Sequence, residues 1–246
     1  MSDATQDRSL LKPSWRDIDF DHADQALGVH CPDKVKPPPV DAACISLPPK
    51  EQWHSNGVSL VDAMLRRQSR RHFSPEPMEL EDLSLLLYCT QGIRKLTVNS
   101  SFRSSPSAGA RHAFETYFYV DRVRELARGV YRYLPDRNAV YLHKAWSETM
   151  VTDLNQALLD QLYGAAVCFV WTAIPYRMEW RYGKASAKLI AIDAGHMCEN
   201  LYLAVEAVGA GTCAIGAYDQ QALDGLLGTD GVEEFAFYVA PVGKVA

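Results

Sequence analysis

The sequence lacks the features that define several large classes of protein. It contains no apolar run long enough to cross a bilayer, and its N-terminus shows no basic start followed by an apolar core, so we expect a cytoplasmic protein. The net charge is -5 and the basic residues form local clusters rather than a stripe, which argues against a nucleic-acid surface. The six cysteines include no C-x-x-C pair, so we expect neither disulfides nor a metal site.

The chain divides into a polar arm and a domain. At 246 residues and 48% hydrophobic content, it is long enough to bury a sizeable core. Residues 1–57 are polar and rich in proline and show no sustained periodicity, which predicts an extended N-terminal arm. Regular patterns begin near Ser59, so we place the folded domain at 58–246.

Helix and strand patterns are mixed along the domain without strict alternation. This mixture favours an α+β sheet covered by helices over a doubly wound parallel sheet. The longest helical pattern is apolar on more than one side, which suits a helix inside a core or between two subunits. The patterns predict helices at 59–69, 79–90, 147–162, 185–208 and 220–227, and strands at 113–120, 130–134, 139–143, 165–174, 212–218 and 234–242.

The run from Arg67 to Phe73 contains three arginines and a hydroxyl but no acidic residue. If the first helix continues into this run, Arg67 and Arg71 lie near one face at i, i+4 and repel each other. A phosphate between them, with roughly two negative charges, would replace that repulsion by charge-assisted hydrogen bonds. A solvated basic face at a helix end fits the same residues, so the run alone leaves both interpretations open.

Two further segments are rich in small residues. The first, 104–112, precedes a predicted strand and would allow a flat ligand to approach the backbone closely. The second, 209–218, has several glycines but neither the G-x-G-x-x-G pattern nor the lysine of a P-loop. A plain turn fits each segment as well when it is considered alone.

Taken in order, these motifs resemble the nitroreductase fold, and in particular its SagB-type dehydrogenases, the thiazole- and oxazole-forming oxidases. The resemblance covers about 59–244 and implies an α+β, nitroreductase-like fold with a mostly antiparallel central sheet flanked by helices. It also implies a homodimer with FMN at the interface. The matching motifs are Arg67-x-Ser69-x-Arg71-x-Phe73, Pro106-Ser107-Ala108-Gly109, Tyr131-x-Tyr133, Asp193-Ala194-Gly195-His196 with Asn200-Leu201, Gly209-x-Gly211 with Ile215-Gly216-Ala217, and Val242-Gly243-Lys244.

The resemblance also implies where FMN is bound. Its phosphate and pyrimidine side would contact Arg67, Gln68, Ser69 and Arg71, with Lys244 reaching the phosphate. The isoalloxazine ring would lie against a loop from the partner subunit, formed by Pro106, Ser107, Ala108 and Gly109, and the backbone at Ile215 and Gly216 would face flavin N5. Such cations and donors suit the charge of a reduced flavin.

The catalytic pair departs from the branch. Azole-forming members have an adjacent lysine and tyrosine, and the matching pair here is Arg181 and Tyr182. Arginine is effectively always protonated and cannot act as a base, although it could polarise a substrate carbonyl. Lys184 could replace the missing lysine only if its loop bends suitably. We interpret His196 as a structural histidine, hydrogen-bonded in the core near Asp193.

Three functions fit this sequence. The first is an FMN-dependent dehydrogenase that oxidises a peptide-like substrate, an azoline to an azole, in natural-product biosynthesis, beside a cyclodehydratase or other biosynthetic enzyme. The second is an NAD(P)H-dependent reductase of nitro compounds, quinones or flavin, which needs no base. The third is a non-catalytic flavin-binding partner of a modifying complex, which the replaced lysine would permit.

Overall fold

A seven-stranded antiparallel sheet forms the centre of the molecule. The structure, a computed structural model, describes residues 8–245. The strands lie in the order β1-β6-β5-β4-β7-β9-β8, and β2 and β3 form a separate hairpin. The strands are β1 (Cys44–Ser46), β2 (Ile93–Leu96), β3 (Ser101–Arg103), β4 (Phe114–Val120), β5 (Gly129–Leu134), β6 (Ala139–Ala145), β7 (Val167–Ala173), β8 (Ala210–Thr212) and β9 (Phe235–Lys244).

Helices cover both faces of the sheet. They are α1 (Leu60–Arg66), α2 (Leu80–Gln91), α3 (Met150–Ala157), α4 (Tyr176–Tyr182), α5 (Ser186–Ala207) and α6 (Gln220–Leu227). One buried apolar cluster contains residues of α2 and α5, and a second contains residues of α3 and α6. The predicted α+β architecture with a mostly antiparallel sheet is therefore confirmed. In the described part of the chain, no helix is long and apolar enough to cross a membrane.

The N-terminal arm takes part in this architecture. Its β1 pairs with β6 at one edge of the sheet. Earlier in the arm, the backbone N–H of Lys36 donates to the buried carboxylate of Glu115 at 2.8 Å, and the buried Arg132 donates to the carbonyl of Lys36 at 2.7 Å. These contacts tie the arm closely to the sheet. The domain boundary at residue 57 stays a prediction.

Three predicted elements differ in the structure, and β1, β2, β3 and α4 have no predicted counterpart. The predicted helix at 59–69 ends at Arg66, because the following backbone pairs with β8 instead: Ser69 bridges Thr212, and Arg70 N donates to the Thr212 carbonyl at 2.9 Å. The helix predicted at 147–162 covers only α3, since Leu159 and Asp160 adopt positive φ angles of 53° and 63°. The strand predicted at 212–218 is wrong beyond Thr212 and is reduced there to an isolated bridge at Ile215.

Candidate functional site

The segment from Arg67 to Ser74 is extended rather than helical and lies beside β8 and β9. Its backbone is held at two points, where Arg70 N donates to the Thr212 carbonyl and Ser74 N donates to the Lys244 carbonyl, each at 2.9 Å. The placement of the arginines on one helical turn is therefore wrong. The structure nonetheless brings this segment and Lys244 together, as expected for parts of one site.

Two glycines make this close approach possible. A Cβ atom at Gly211 would lie 2.5 Å from the Arg70 Cγ, and one at Gly243 would lie 2.7 Å from the Phe73 Cβ. Real Cβ atoms do not approach other carbons so closely, so both positions require glycine. The glycines of these two motifs let the arginine segment lie flat against the sheet.

The cations of this region differ in how they are partnered. Among residues 8–245, no carboxylate lies within 4 Å of the charged groups of Arg67 or Arg71. Lys244, by contrast, donates to Asp82 Oδ2 and to the Val208 carbonyl, each at 2.7 Å. Two guanidinium groups thus remain available to an anion, whereas two of the three donors of the Lys244 ammonium are already used.

Tyr202 on α5 links this segment to the next motif, and sequence reasoning missed it. Its buried hydroxyl lies 2.9 Å from Ser69 Oγ and accepts from Ala214 N at 2.8 Å, while its ring lies 5.4 Å from the Arg67 guanidinium. The one signal in the sequence is a hydroxyl among the apolar residues of a core helix. A buried hydroxyl needs a hydrogen-bond partner, because burying it without one is costly.

The backbone predicted to face flavin N5 is only partly free. Ile215 N donates to the Val239 carbonyl at 2.8 Å, its own carbonyl accepts from Val239 N at 3.2 Å, and its side chain is buried. Gly216 is exposed, and its N–H makes no hydrogen bond to another backbone group in the described chain. Of these two candidates, Gly216 is therefore the one that can offer a donor.

Gln68 is exposed and faces its neighbour in the arginine segment. When the Gln68 amide is oriented with its oxygen toward Arg70, that oxygen accepts from the two terminal nitrogens of the guanidinium at 2.9 and 3.1 Å. The chain thus uses Arg70 to position Gln68, and Arg67 and Arg71 keep their donors.

A second group of candidates surrounds the loop Pro106–Gly109. Gly109 has a φ of 57°, and a Cβ there would lie 2.6 Å from the Tyr182 hydroxyl and 3.2 Å from Arg181 Cδ. Ser107 Oγ accepts from the backbone N–H of His112 at 2.9 Å. The structure thus places the predicted catalytic pair directly against the predicted isoalloxazine loop.

An acidic side chain supports this loop. Asp193 Oδ1 accepts from Ala108 N at 3.2 Å, whereas its Oδ2 is buried without a partner in the described chain. Burial raises the pKa of Asp193, and the hydrogen bond from Ala108 N opposes that rise. The interpretation of His196 as a buried partner of Asp193 is wrong, because His196 is exposed and the loop backbone takes its place.

The ring of His112 lies behind the same loop in a strongly cationic environment. Burial, followed by the positive charge of Arg103, lowers the pKa of His112 to about 2. The ring is therefore neutral at physiological pH, and it adds no charge behind the loop.

The two groups of candidates contact α5 at different points along its length. Asp193 supports the loop and Tyr202 supports the arginine segment, and about 13 Å of helix axis separates them. No hydrogen bond or salt bridge within residues 8–245 joins Arg67, Ser69 or Arg71 to Pro106–Gly109, Arg181 or Tyr182. That the loop Pro106–Gly109 of one subunit lines the flavin bound by the arginines of its partner stays a prediction.

Comparisons with known proteins agree with this fold. The sequence profile described as "Nitroreductase family" matches residues 64–244. A candidate nitroreductase of Methanocaldococcus jannaschii is 29% identical over 206 residues, covering 83% of this chain and 98% of that protein.

Two solved structures are also similar to this chain. The first is a candidate nitroreductase from Anabaena variabilis, with 23% identity and a TM-score of 0.68 over 83% of this chain, which spans only 42% of that protein. The second is a chain of the Escherichia coli microcin synthetase McbBCD complex with truncated pro-MccB17 bound, with 17% identity and a TM-score of 0.62, covering 77% of this chain and 74% of that one. At these identities the two structures show a shared fold.

Proposed function

The chain belongs to the nitroreductase family of flavin oxidoreductases, and we propose that it is an FMN-dependent dehydrogenase that oxidises an azoline ring in a peptide-like substrate to an azole. The observation that carries this proposal is the contact between Tyr182 and Gly109. It places a hydroxyl, with a guanidinium beside it, against the loop that would line the flavin ring.

The residues present fit FMN. Arg67 and Arg71 offer charge-assisted donors to a phosphate, the hydroxyl of Ser69 lies between them in sequence, and the exposed N–H of Gly216 offers a donor to the ring. Lys244 can add the one donor that Asp82 and Val208 leave free. When bound, FMN supplies the hydride acceptor.

The chain's own contribution to the reaction would be to hold the ring of the substrate and move a proton. Tyr182 would relay that proton, accepting it at the hydroxyl oxygen while the hydroxyl's own proton passes to water. Arg181, whose guanidinium lies 5.5 Å from the Tyr182 ring, would polarise the neighbouring carbonyl without accepting a proton. Lys184 lines a different cavity, next to residues 9–18, so the structure gives no support to it as a replacement base.

We further propose that the protein acts as a homodimer. The apolar side of α1 is not packed against the described chain: Leu60, Val61, Met64 and Leu65 are between 56% and 79% exposed. A contiguous apolar patch of this kind marks an interface. Light scattering after size exclusion should show a dimer, and Leu65→Glu should give monomers, whereas Val40→Glu, at an exposed position of the arm, should leave the dimer intact. A monomeric wild-type protein would contradict this proposal.

The proposed reaction also requires an enzyme that supplies its substrate. The similar chain in the microcin synthetase belongs to a complex with a bound precursor. We infer that this protein also works on the product of a cyclodehydratase or a related biosynthetic enzyme, because that class of reaction forms the azoline that a dehydrogenase consumes.

One observation favours the second candidate function, an NAD(P)H-dependent reductase. Arg181 replaces the lysine expected beside Tyr182, and reduction of a nitro compound or quinone needs no base. An anaerobic experiment separates the two functions: the FMN-loaded protein is mixed with a synthetic thiazoline peptide, NADH or NADPH in separate cuvettes. Bleaching of the flavin absorbance by the peptide supports the dehydrogenase, and rapid bleaching by NAD(P)H alone supports the reductase.

The role of Tyr182 has its own test. Tyr182→Phe should keep FMN bound while peptide turnover falls about 10²- to 10⁴-fold, the usual contribution of a positioned proton-transfer group. Tyr218→Phe, which removes a hydroxyl bonded to the Ala236 carbonyl on the other face of the sheet, should leave turnover unchanged. Normal turnover in Tyr182→Phe would remove that residue from the mechanism.

A further inference from the structure

Part of the N-terminal arm lies across α4. We call residues 15–29 the N-terminal strap. Three hydrogen bonds hold it: Gln25 N donates to the Trp180 carbonyl at 2.9 Å, Trp180 Nε1 donates to the Val29 carbonyl at 3.0 Å, and the Tyr176 hydroxyl donates to Asp24 Oδ2 at 2.7 Å. These bonds fix the strap next to Arg181 and Tyr182, at the end of the same helix.

Two aromatic side chains of the strap face Tyr182. The rings of Trp15 and Phe20 are stacked, with centroids 6.1 Å apart and planes inclined by 21°. The Trp15 ring meets the Tyr182 ring edge-on at 6.3 Å. Both arrangements are favourable for aromatic pairs. Trp15 and Phe20 are nevertheless 45% and 38% exposed, which leaves ring surface for a further group.

A cavity of about 400 Å³ opens between the strap and the end of α4. It is lined by Phe20, Ala23, Gln25, Ala26, Arg181 and Tyr182. Sites for small molecules usually measure about 300 to 1,000 Å³, so this one has room for a ring with its adjoining peptide group and not for a long peptide. Arg181 is the one charged side chain of this lining, which favours a carbonyl or another electron-rich group beside the ring.

We propose that Trp15, Phe20 and Tyr182 form an aromatic clamp that binds an aromatic side chain next to the reacting ring, with a carbonyl of the substrate facing Arg181. The clamp rests on the proposed function, because that function places Tyr182 at the reacting ring. It assigns part of the substrate specificity to the arm, which supplies two of the three rings. A strap that served only as a cover would bury its large rings, whereas these remain partly open.

The test compares two synthetic thiazoline peptides that differ at one position next to the thiazoline, where one has phenylalanine and the other cyclohexylalanine. The two side chains are similar in size and apolarity, but only phenylalanine has an aromatic ring. Dissociation constants come from the change in flavin absorbance when the thiazole form of each peptide, which cannot reduce the flavin, is added to the FMN-loaded protein. The wild-type protein should bind the phenylalanine peptide about 2- to 10-fold more tightly, the size of one aromatic pair interaction.

Three variants complete the test. Trp15→Ala should remove the preference, Trp15→Phe should keep most of it, and Leu11→Ala, at another exposed apolar position of the arm, should leave it unchanged. Normal FMN absorbance in each variant shows that the protein has folded. Equal binding of both peptides by the wild type, a preference that survives in Trp15→Ala, or no binding of either peptide would each overturn the clamp.

The same measurements keep the two proposals apart. Binding is measured with the thiazole forms and oxidation with the thiazoline forms, so a phenylalanine preference without oxidation of the thiazoline peptides would support the clamp and contradict the dehydrogenase. Oxidation of both peptides with equal affinity would support the dehydrogenase and contradict the clamp. Conversion of the dimer to monomers by Trp15→Ala would also overturn the clamp, because it would show that these rings pack against a second copy of the chain.

Discussion

Arginine residues occupy two regions of this protein in opposite ways. In the protein interior, four arginines are only 1% to 2% exposed and donate to carbonyl, carboxylate, amide or sulfur acceptors: Arg103, Arg111, Arg132 and Arg177. Beside β8, Arg67 and Arg71 have no carboxylate partner among residues 8–245 and remain accessible to solvent. Residue type alone therefore does not distinguish a structural arginine from one that is available to bind a ligand.

The buried region is organised around Glu115. Its carboxylate lies 2.6 Å from Arg177 Nη2 and accepts from Lys36 N at 2.8 Å. Burial opposes ionisation of Glu115, but the charges of Arg177, Arg132 and Arg103 outweigh it and hold the pKa below the usual value. Glu115 and Arg177 form an ion pair inside the fold, so removing either one would leave a buried charge without its partner, whereas the charges beside β8 would be compensated by an anion from outside.

The largest effect should come from breaking the buried region. Glu115→Gln leaves the neighbouring arginines without their carboxylate, and removing one partner of a buried pair costs about 3 to 5 kcal/mol. We expect urea denaturation to show a loss of that size at neutral pH. Because the folded pKa of Glu115 is lowered, its contribution is present above the unfolded pKa of about 4.5 and is lost as the pH falls through the folded pKa.

A matched variant makes this a comparison of regions. Arg71→Ala should change the stability of the FMN-free protein by no more than about 0.5 kcal/mol, as for other surface substitutions. If Arg71→Ala destabilised the FMN-free protein as much as Glu115→Gln did, the contrast between the two regions would be wrong.

A smaller effect, on binding rather than folding, should follow from removing the free arginines. Each charge-assisted hydrogen bond contributes about 1.5 to 3 kcal/mol, so Arg67→Ala and Arg71→Ala should each weaken FMN binding about 10- to 100-fold. Fluorescence titration of FMN into the FMN-free variants measures this loss, and Arg124→Ala, which removes a surface arginine paired with Glu79, serves as the control. Unchanged affinity would contradict the phosphate assignment.

Most of the secondary structure followed from periodicity, because most elements pack against the core. The β5–β6 hairpin, the long helix α5 and the short helix α6 closely match the expected ranges. The helix predicted at 59–69 fails where the backbone is held by distant residues. Nothing in the sequence near Arg67 indicates that Thr212 will pair with Ser69 and end the helix, since that pairing joins residues far apart in the chain.

The candidate site shows the same limit. The order of the motifs predicts Arg67, Arg71 and the loop at Gly109 as candidates, but it does not show that Asp82 already binds Lys244 or that Val239 uses the backbone of Ile215. Side-chain partners depend on packing, which periodicity does not encode. Tyr202 was missed for the same reason, because its position on a core helix predicts burial but not which groups its hydroxyl joins.

The smallest expected effect concerns Tyr202, a buried residue whose hydroxyl contacts the exposed arginine segment. It tests whether a buried side chain can contribute to FMN binding rather than to stability alone. Tyr202→Phe removes the contacts to Ser69 and Ala214 but keeps the ring beside Arg67. Each lost hydrogen bond should cost about 0.5 to 1.5 kcal/mol. If Tyr202 positions the arginine segment, FMN affinity should fall several-fold, and the Arg67→Ala, Tyr202→Phe double variant should lose less affinity than the sum of the two single losses. Reduced stability with unchanged FMN affinity would instead assign Tyr202 to the fold alone, and Tyr202 would then belong with the buried arginines rather than with Arg67.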